Sequence, residues 1–181
     1  GVSAAIVEDK TGLKRNSLYG NSVKQEQLDP LKFGEKIRAG REFLSSEDFM
    51  LIARIESLIS GEGLEAALNR AMIYLEAGAD GIMIHASKAD TAEIEQFANS
   101  YMSFSAGRPL VVVPTAFSHV NEDQLAEWGI NIVIYANHLI RAAYPAMVSA
   151  ADKILRDGKA GNLEGDLAPI SELLKLVDGR T

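Results

Sequence analysis

The chain contains no cysteine among its 181 residues. Disulfides, thiolate metal sites and cysteine nucleophiles are excluded together, and a reducing cytoplasm suits this composition. Long hydrophobic runs are lacking as well. Leu110 to Val113 and Ile130 to Ala136 fall far short of the about 20 residues a membrane-spanning helix needs, so no membrane partner is expected. There is no basic stripe: 18 Lys and Arg stand against 25 Asp and Glu, a formal charge of -7. Nucleic acid is therefore not an expected partner, and any anionic ligand must be held by a few individually placed cations. An initiator methionine and a signal peptide are missing too. The sequence opens on an apolar stretch, Val2 to Val7, with neither a basic n-region nor a cleavage site. A strand at the very start leads us to expect part of a longer chain.

What is present is an ordinary globular composition, 47% hydrophobic and 24% charged, and enough residues for one domain with a sizeable core. Apolar, β-rich runs recur at Val2–Val7, Phe49–Ile55, Gly81–Ile84, Leu110–Val113 and Ile130–Tyr135. Runs apolar on both faces are the mark of buried parallel strands. Helical stretches separate them. In Leu64 to Ala77, residues Leu64, Ala67, Leu68, Ala71 and Leu75 share one face while Glu65, Arg70 and Glu76 fall largely off it. Gly78 follows where a helix end favours a residue free to take positive φ. Asp29-Pro30 opens another helix, with Asp as N-cap and Pro in the first turn. Asp90 with Glu93 resembles a capping box, and Asn121 caps a helix that runs through Trp128. A helix from His138 to Arg156 should be kinked or split by Pro145. Pro169 to Val177 forms a last amphipathic helix.

Alternating strands and helices make a parallel sheet, because each crossover returns the chain in the same direction. An open doubly wound sheet and a (β/α)8 TIM-type barrel both fit the pattern, although no G-x-G-x-x-G or G-x-x-x-x-G-K-[ST] phosphate loop is present. In either, ligands bind at the carboxyl ends of the strands. The residues there are polar: Glu8, Asp9 and Lys10, then Arg54 and Glu56, His85, Ser87 and Lys88, Pro114 and Thr115, Asn137 and His138. Strand ends are also simply where a chain turns polar. Arg54, set between Ala53 and Ile55, should be half-buried and in need of an anion, either a phosphate-like ligand or a salt bridge to Glu8 or Glu56. His85 ends a strand at the same mouth and is either a ligand-binding or a rim histidine. A structural role suits His138 better, and Trp128 is read as core. The connection from Thr11 to Asp29 exceeds the usual about 2–6 residues of a βα loop and is read as an active-site lid, with an ordinary surface excursion as the alternative.

Glu8-Asp9-Lys10, five residues, then Asn16-Ser17 resembles the EDKxxxxxNS signature of the phosphoenolpyruvate mutases, within the isocitrate lyase superfamily. Leu18, Ala53-Arg54-Ile55-Glu56, Ala77-Gly78-Ala79-Asp80, Val113-Pro114-Thr115 and Ala136-Asn137-His138 are similar to that family as well, collinearly from Val2 to about Arg156. The related lyases carry a catalytic cysteine in a Lys-Arg-Cys-Gly-His-type loop, where this chain has Asn16-Ser17-Leu18.

The resemblance implies a (β/α)8 barrel to which residues 1–181 supply about the last five strands, with 162–181 a terminal helix that packs on a neighbouring subunit of a homotetramer. It implies a cytoplasmic, Mg²⁺-dependent mutase interconverting phosphoenolpyruvate and phosphonopyruvate, the step that forms the C–P bond in phosphonate biosynthesis. Arg54 and His85 would hold the transferring phosphoryl group, Lys14 and Asn16 would close over it, Ser17 and Leu18 would shape the pocket, and Glu8 would support Mg²⁺ through its water shell. The aspartates that anchor the metal belong to the family's first three strands, so this chain alone is expected neither to bind Mg²⁺ tightly nor to turn over. Phosphonopyruvate hydrolase, or another lyase acting on 2-oxo acids or diacids, is the alternative enzyme. A non-enzymatic interaction module would instead tolerate Arg54→Ala.

Overall fold

The computed structural model describes residues 2–12, 26–44 and 48–177. The chain divides into two compact units, Gly1–Ala136 and Asn137–Thr181.

The first unit is a five-stranded parallel sheet with its strands in the order of the sequence: β1 (Ala4–Glu8), β2 (Met50–Ile55), β3 (Gly81–Ile84), β4 (Leu110–Val112) and β5 (Ile132–Val133). Between them run α1 (Pro30–Phe43), the short α2 (Ser57–Ser60), α3 (Gly63–Glu76), α4 (Ala92–Phe104) and α5 (Glu122–Glu127). Strand order decides between the two architectures. A doubly wound sheet reverses direction at a switch point and covers both faces with helices. Here the order never reverses, so successive right-handed crossovers place every helix on the same face. That is the winding of a barrel.

Strand alternation sorts the side chains accordingly. Leu51, Ala53 and Ile55 of β2, Ile82 and Ile84 of β3, and Leu110 and Val112 of β4 face the helices. They join Phe33 and Ile37 of α1, Ala71 and Tyr74 of α3, and Phe97 and Tyr101 of α4 in the main core. Ile52, Met83 and Val111 point the other way and make a small second cluster, with Met50, Val113, Ile132 and Ile134 partly buried against it. Among the described residues β1 pairs with β2 alone, and its Ile6 and Val7 are exposed.

Local chemistry explains most boundaries. The Asp29 carboxylate accepts from the N–H groups of Leu31 and Lys32, and Pro30 fills the first turn of α1. Asn121 caps α5 by accepting from the Gln124 N–H. Gly78 ends the α3 turn at φ +102, a conformation that would strain any side chain. Gly81 is required for a different reason: a Cβ there would lie 2.7 Å from the Pro109 carbonyl oxygen.

Three expectations change. Asp90 accepts from the Ala92 N–H, but Thr91 is the N-cap of α4 and bonds no backbone N–H with its side chain, so the reciprocal box is not formed. Arg70 does not lie off the apolar face of α3; it is buried. In the second unit α6 (His138–Asp157) runs unbroken through Pro145. Proline there costs one i→i−4 hydrogen bond, which the rest of a 20-residue helix tolerates. A 3-10 turn (Gly161–Leu163) follows, then α7 (Ile170–Val177). No described helix is long and apolar enough to cross a membrane.

Candidate active site

Parallel register brings the strand ends level. Glu8 stands opposite Arg54, and Arg54 opposite Met83, so Glu8 and Arg54 occupy one row on the face turned away from the helices. Two residues past Met83, His85 completes the group, its backbone N–H donating to the Ile55 carbonyl at 3.3 Å.

Glu56 is the centre of the cluster. Its side chain is only 1% exposed. Oε2 pairs with the Lys10 ammonium at 3.0 Å. Oε1 accepts from Arg54 Nε at 2.5 Å and lies 2.9 Å from His85 Nδ1. Arg54 also reaches Glu8 Oε2, at 3.7 Å, and His85 Nδ1, at 2.8 Å. Burial alone would push the Glu56 carboxyl up. The hydrogen bond and charge of His85, the Arg54 guanidinium and the Lys10 ammonium outweigh it and hold the group down at about 2. Glu56 is therefore ionised throughout the physiological range. Arg54 is ion-paired with Glu56 and faces Glu8, and the Glu56 carboxylate draws two cations and a histidine together at the strand mouth.

Below this cluster, on the helix side, lies a second one. Asp9 is wholly buried. It accepts from Tyr74 Oη at 2.8 Å, Gln27 Nε2 at 2.8 Å, Arg70 Nη1 at 3.4 Å and the Glu56 backbone N–H at 3.1 Å. Burial raises the Asp9 carboxyl against the pull of these donors, and burial with the charge of Asp9 pushes the Tyr74 hydroxyl up strongly. The chain ends flanking residues 13–25 are tied to this network. Lys10 bridges Gln27 in antiparallel fashion, the Thr11 N–H donates to the Glu26 carbonyl at 2.8 Å, and the Leu28 N–H to the Asp9 carbonyl at 2.7 Å.

Of the residues singled out from sequence, Glu8, Arg54 and His85 come together. Lys14, Asn16, Ser17 and Leu18, with most of the expected lid, lie outside the described residues. Trp128 is buried in the core, as read, and His138 begins α6. Sequence reasoning named Glu56 as a salt-bridge partner for Arg54, which the structure shows, gave Lys10 and Asp9 no specific part, and missed Arg70 and Tyr74. The last two carried a signal: an Arg and a Tyr four residues apart, on the helix face shared with Ala67 and Ala71.

Among the described residues no group of three or more metal-ligating side chains converges. Glu8 offers one carboxylate at the strand mouth, already facing Arg54. That suits it to accept from a metal-bound water and does not suffice to hold a divalent cation. The described residues are therefore not a magnesium site by themselves.

A family model described as phosphoenolpyruvate phosphomutase matches residues 1–155. The chain is 37% identical over 176 residues to the phosphoenolpyruvate phosphomutase of Tetrahymena pyriformis, covering 97% of this chain and 57% of that protein. It superposes on the crystal structure of a phosphoenolpyruvate phosphomutase from Streptomyces platensis subsp. rosaceus with a TM-score of 0.91 at 34% identity, covering 98% of this chain and 60% of the other. A phosphonopyruvate hydrolase, solved as a complex with oxalate and Mg²⁺, superposes with a TM-score of 0.86 at 37% identity, covering 99% and 60%. The chain thus spans about 57–60% of the length of these relatives.

Proposed function

The chain belongs to the phosphoenolpyruvate phosphomutase family, and from that premise we propose that the protein it comes from is a Mg²⁺-dependent mutase interconverting phosphoenolpyruvate and phosphonopyruvate. The observation that carries the reading is the convergence of Arg54, Lys10 and His85 around one buried carboxylate at the ends of adjacent parallel strands. In an acidic chain, cations so concentrated are suited to an anionic ligand.

The chemistry needs such a grip. The O–P bond of the enol phosphate breaks and a P–C bond forms at C3 of the same molecule, so neither water nor a second substrate is consumed. The phosphoryl group passes through a loose, metaphosphate-like state. In the proposed role Arg54 turns its Nη edge to the phosphoryl oxygens while Nε stays on Glu56, and His85 supplies a second contact. Fixed donors of this kind stabilise charge as it develops without having to reorganise. Lys14 and Asn16 are proposed to cover the centre and exclude water, with Ser17 and Leu18 beside them. Asn16, a neutral amide, can hold the group without attacking it. Bound Mg²⁺ would supply positive charge to the enolate, with Glu8 reaching it through water.

The relatives favour phosphonopyruvate hydrolase as the second reading, since a hydrolase and a mutase are each 37% identical to this chain. Incubating the intact protein with phosphonopyruvate and Mg²⁺, and following phosphorus by NMR, separates them. Phosphoenolpyruvate as product supports the mutase. Inorganic phosphate with pyruvate makes the protein a hydrolase, and unchanged substrate sinks both. The same proposal extends to a cytoplasmic homotetramer in which residues 162–181 pack on a neighbouring subunit. Exposed Ile170, Leu173, Leu174 and Leu176 of α7 suit that role.

A further inference from the structure

His85 Nδ1 has two claimants. Arg54 Nη2 stands 2.8 Å away and Glu56 Oε1 2.9 Å away. A guanidinium only donates and an ionised carboxylate only accepts, so a single ring nitrogen satisfies one of them at a time. Without its proton, Nδ1 accepts from Arg54 and sets a lone pair against the Glu56 oxygen. With its proton, Nδ1 donates to Glu56 and the guanidinium must ease away.

The surroundings decide which partner yields. Glu56 is fixed on several sides: its backbone N–H donates to Asp9 Oδ1 at 3.1 Å, and Lys10 holds Oε2 at 3.0 Å. Arg54 is the more exposed of the two, 18% against 1%, and it keeps carboxylate partners in Glu56 and Glu8 if it moves off the imidazole. Both candidate bonds have an ionised partner and are charge-assisted, so position decides: a lone pair set against the buried Glu56 oxygen could not be relieved, whereas Arg54 can shift.

We propose that Glu56 is a positioning residue that holds the proton on Nδ1 of His85 and leaves Nε2 as the ring atom presented to a ligand. The groups that set the balance are Arg54 and Glu56 at the end of β2, and Glu8 and Lys10 at the end of β1. Asp9 acts one step further back by fixing the Glu56 backbone. Orienting an imidazole through its remote nitrogen follows the logic by which supporting carboxylates set histidine tautomers in metal and catalytic sites. What Nε2 meets rests on the proposed function, where a phosphoryl or phosphonate oxygen would favour a second proton and an N–H donor. The tautomer itself does not depend on that reading.

The test is a long-range ¹H–¹⁵N correlation spectrum of the intact protein, labelled at histidine, near neutral pH without substrate. The chain has three histidines, and His85 is the set of signals lost in His85→Asn. The expected result is Nδ1 in the protonated-nitrogen range. Nδ1 unprotonated with Nε2 protonated overturns the inference, and the wild-type protein alone decides this. Glu56→Gln should then shift His85 toward the Nε2–H form and lower kcat by about 10- to 100-fold. If the variant keeps the wild-type tautomer and loses only thermal stability, Glu56 is structural and the inference fails. If the protein converts phosphonopyruvate to nothing but Nδ1 carries a Glu56-dependent proton, the proposed function fails and the inference stands.

Discussion

On the helix-covered face of the sheet, the rows through Ala53, Ile82 and Leu110 are sealed by α1, α3 and α4, and Asp9 is ringed by Tyr74, Gln27 and Arg70. On the opposite face the same strands carry only the small cluster of Ile52, Met83 and Val111, and above it stand Glu8, Arg54 and His85 with side chains still 10–18% exposed. One residue of offset along a strand separates the two environments. Asp9 follows Glu8 directly, yet one carboxyl is sealed in the core and the other faces the mouth. The difference teaches that a single alternation writes both core and site: the strand parity that buries Ala53 and Ile55 beneath helices also turns Arg54 outward.

Breaking each face should give a distinct signature. On the mouth side, Arg54→Ala in the intact protein should lower kcat/KM by about 10³-fold, or about 4 kcal/mol of transition-state stabilisation, with the fold retained. A large loss of stability with activity retained would reverse the assignment. On the helix side, Asp9→Ala strips the acceptor from Tyr74, Gln27 and Arg70 and should cost about 3 kcal/mol of folding stability in denaturant unfolding. The two substitutions therefore sort by readout as well as by size.

The boundary between the faces is tested by acid. Glu56 titrates at about 2 in the folded protein, below its ordinary 4.5. A depressed carboxyl contributes stability that is complete above pH 4.5 and lost as pH falls toward 2. The stability difference between wild type and Glu56→Gln should therefore be largest above pH 4.5, on the order of 3 kcal/mol, and shrink below it. A difference independent of pH would mean that the charge of Glu56 is not what the cluster uses. Smallest of all is Lys88→Ala. It removes an exposed pair with Glu93 and should change stability by less than about 0.5 kcal/mol.

Much of this was legible in the sequence. Gly81–Ile84 is the third strand as read, and β2 differs by one residue from its apolar run, because buried parallel strands are continuous in hydrophobicity. β5 shrinks to Ile132–Val133, since an apolar run shows burial without showing where hydrogen bonding stops. Doubly wound and barrel windings share one pattern of elements, and only the pairing order separates them. Arg70 was misplaced because its charge outweighed its position on the face of Ala67, Ala71 and Tyr74, and its buried carboxylate partner lies 61 residues away. Arg54 was legible as half-buried and wanting an anion. That Glu56 is shared by three partners depends on β1, β2 and β3 ending level, a property of register that no single strand carries.

The most direct measurement of the central claim is a crystal structure of the intact protein with phosphonopyruvate. It should show phosphonate oxygens about 2.7–2.9 Å from Arg54 Nη atoms and within hydrogen-bond reach of His85 Nε2, with Arg54 Nε still on Glu56. A ligand bound elsewhere, while Arg54 keeps its contacts to Glu8 and His85 Nδ1, would contradict it.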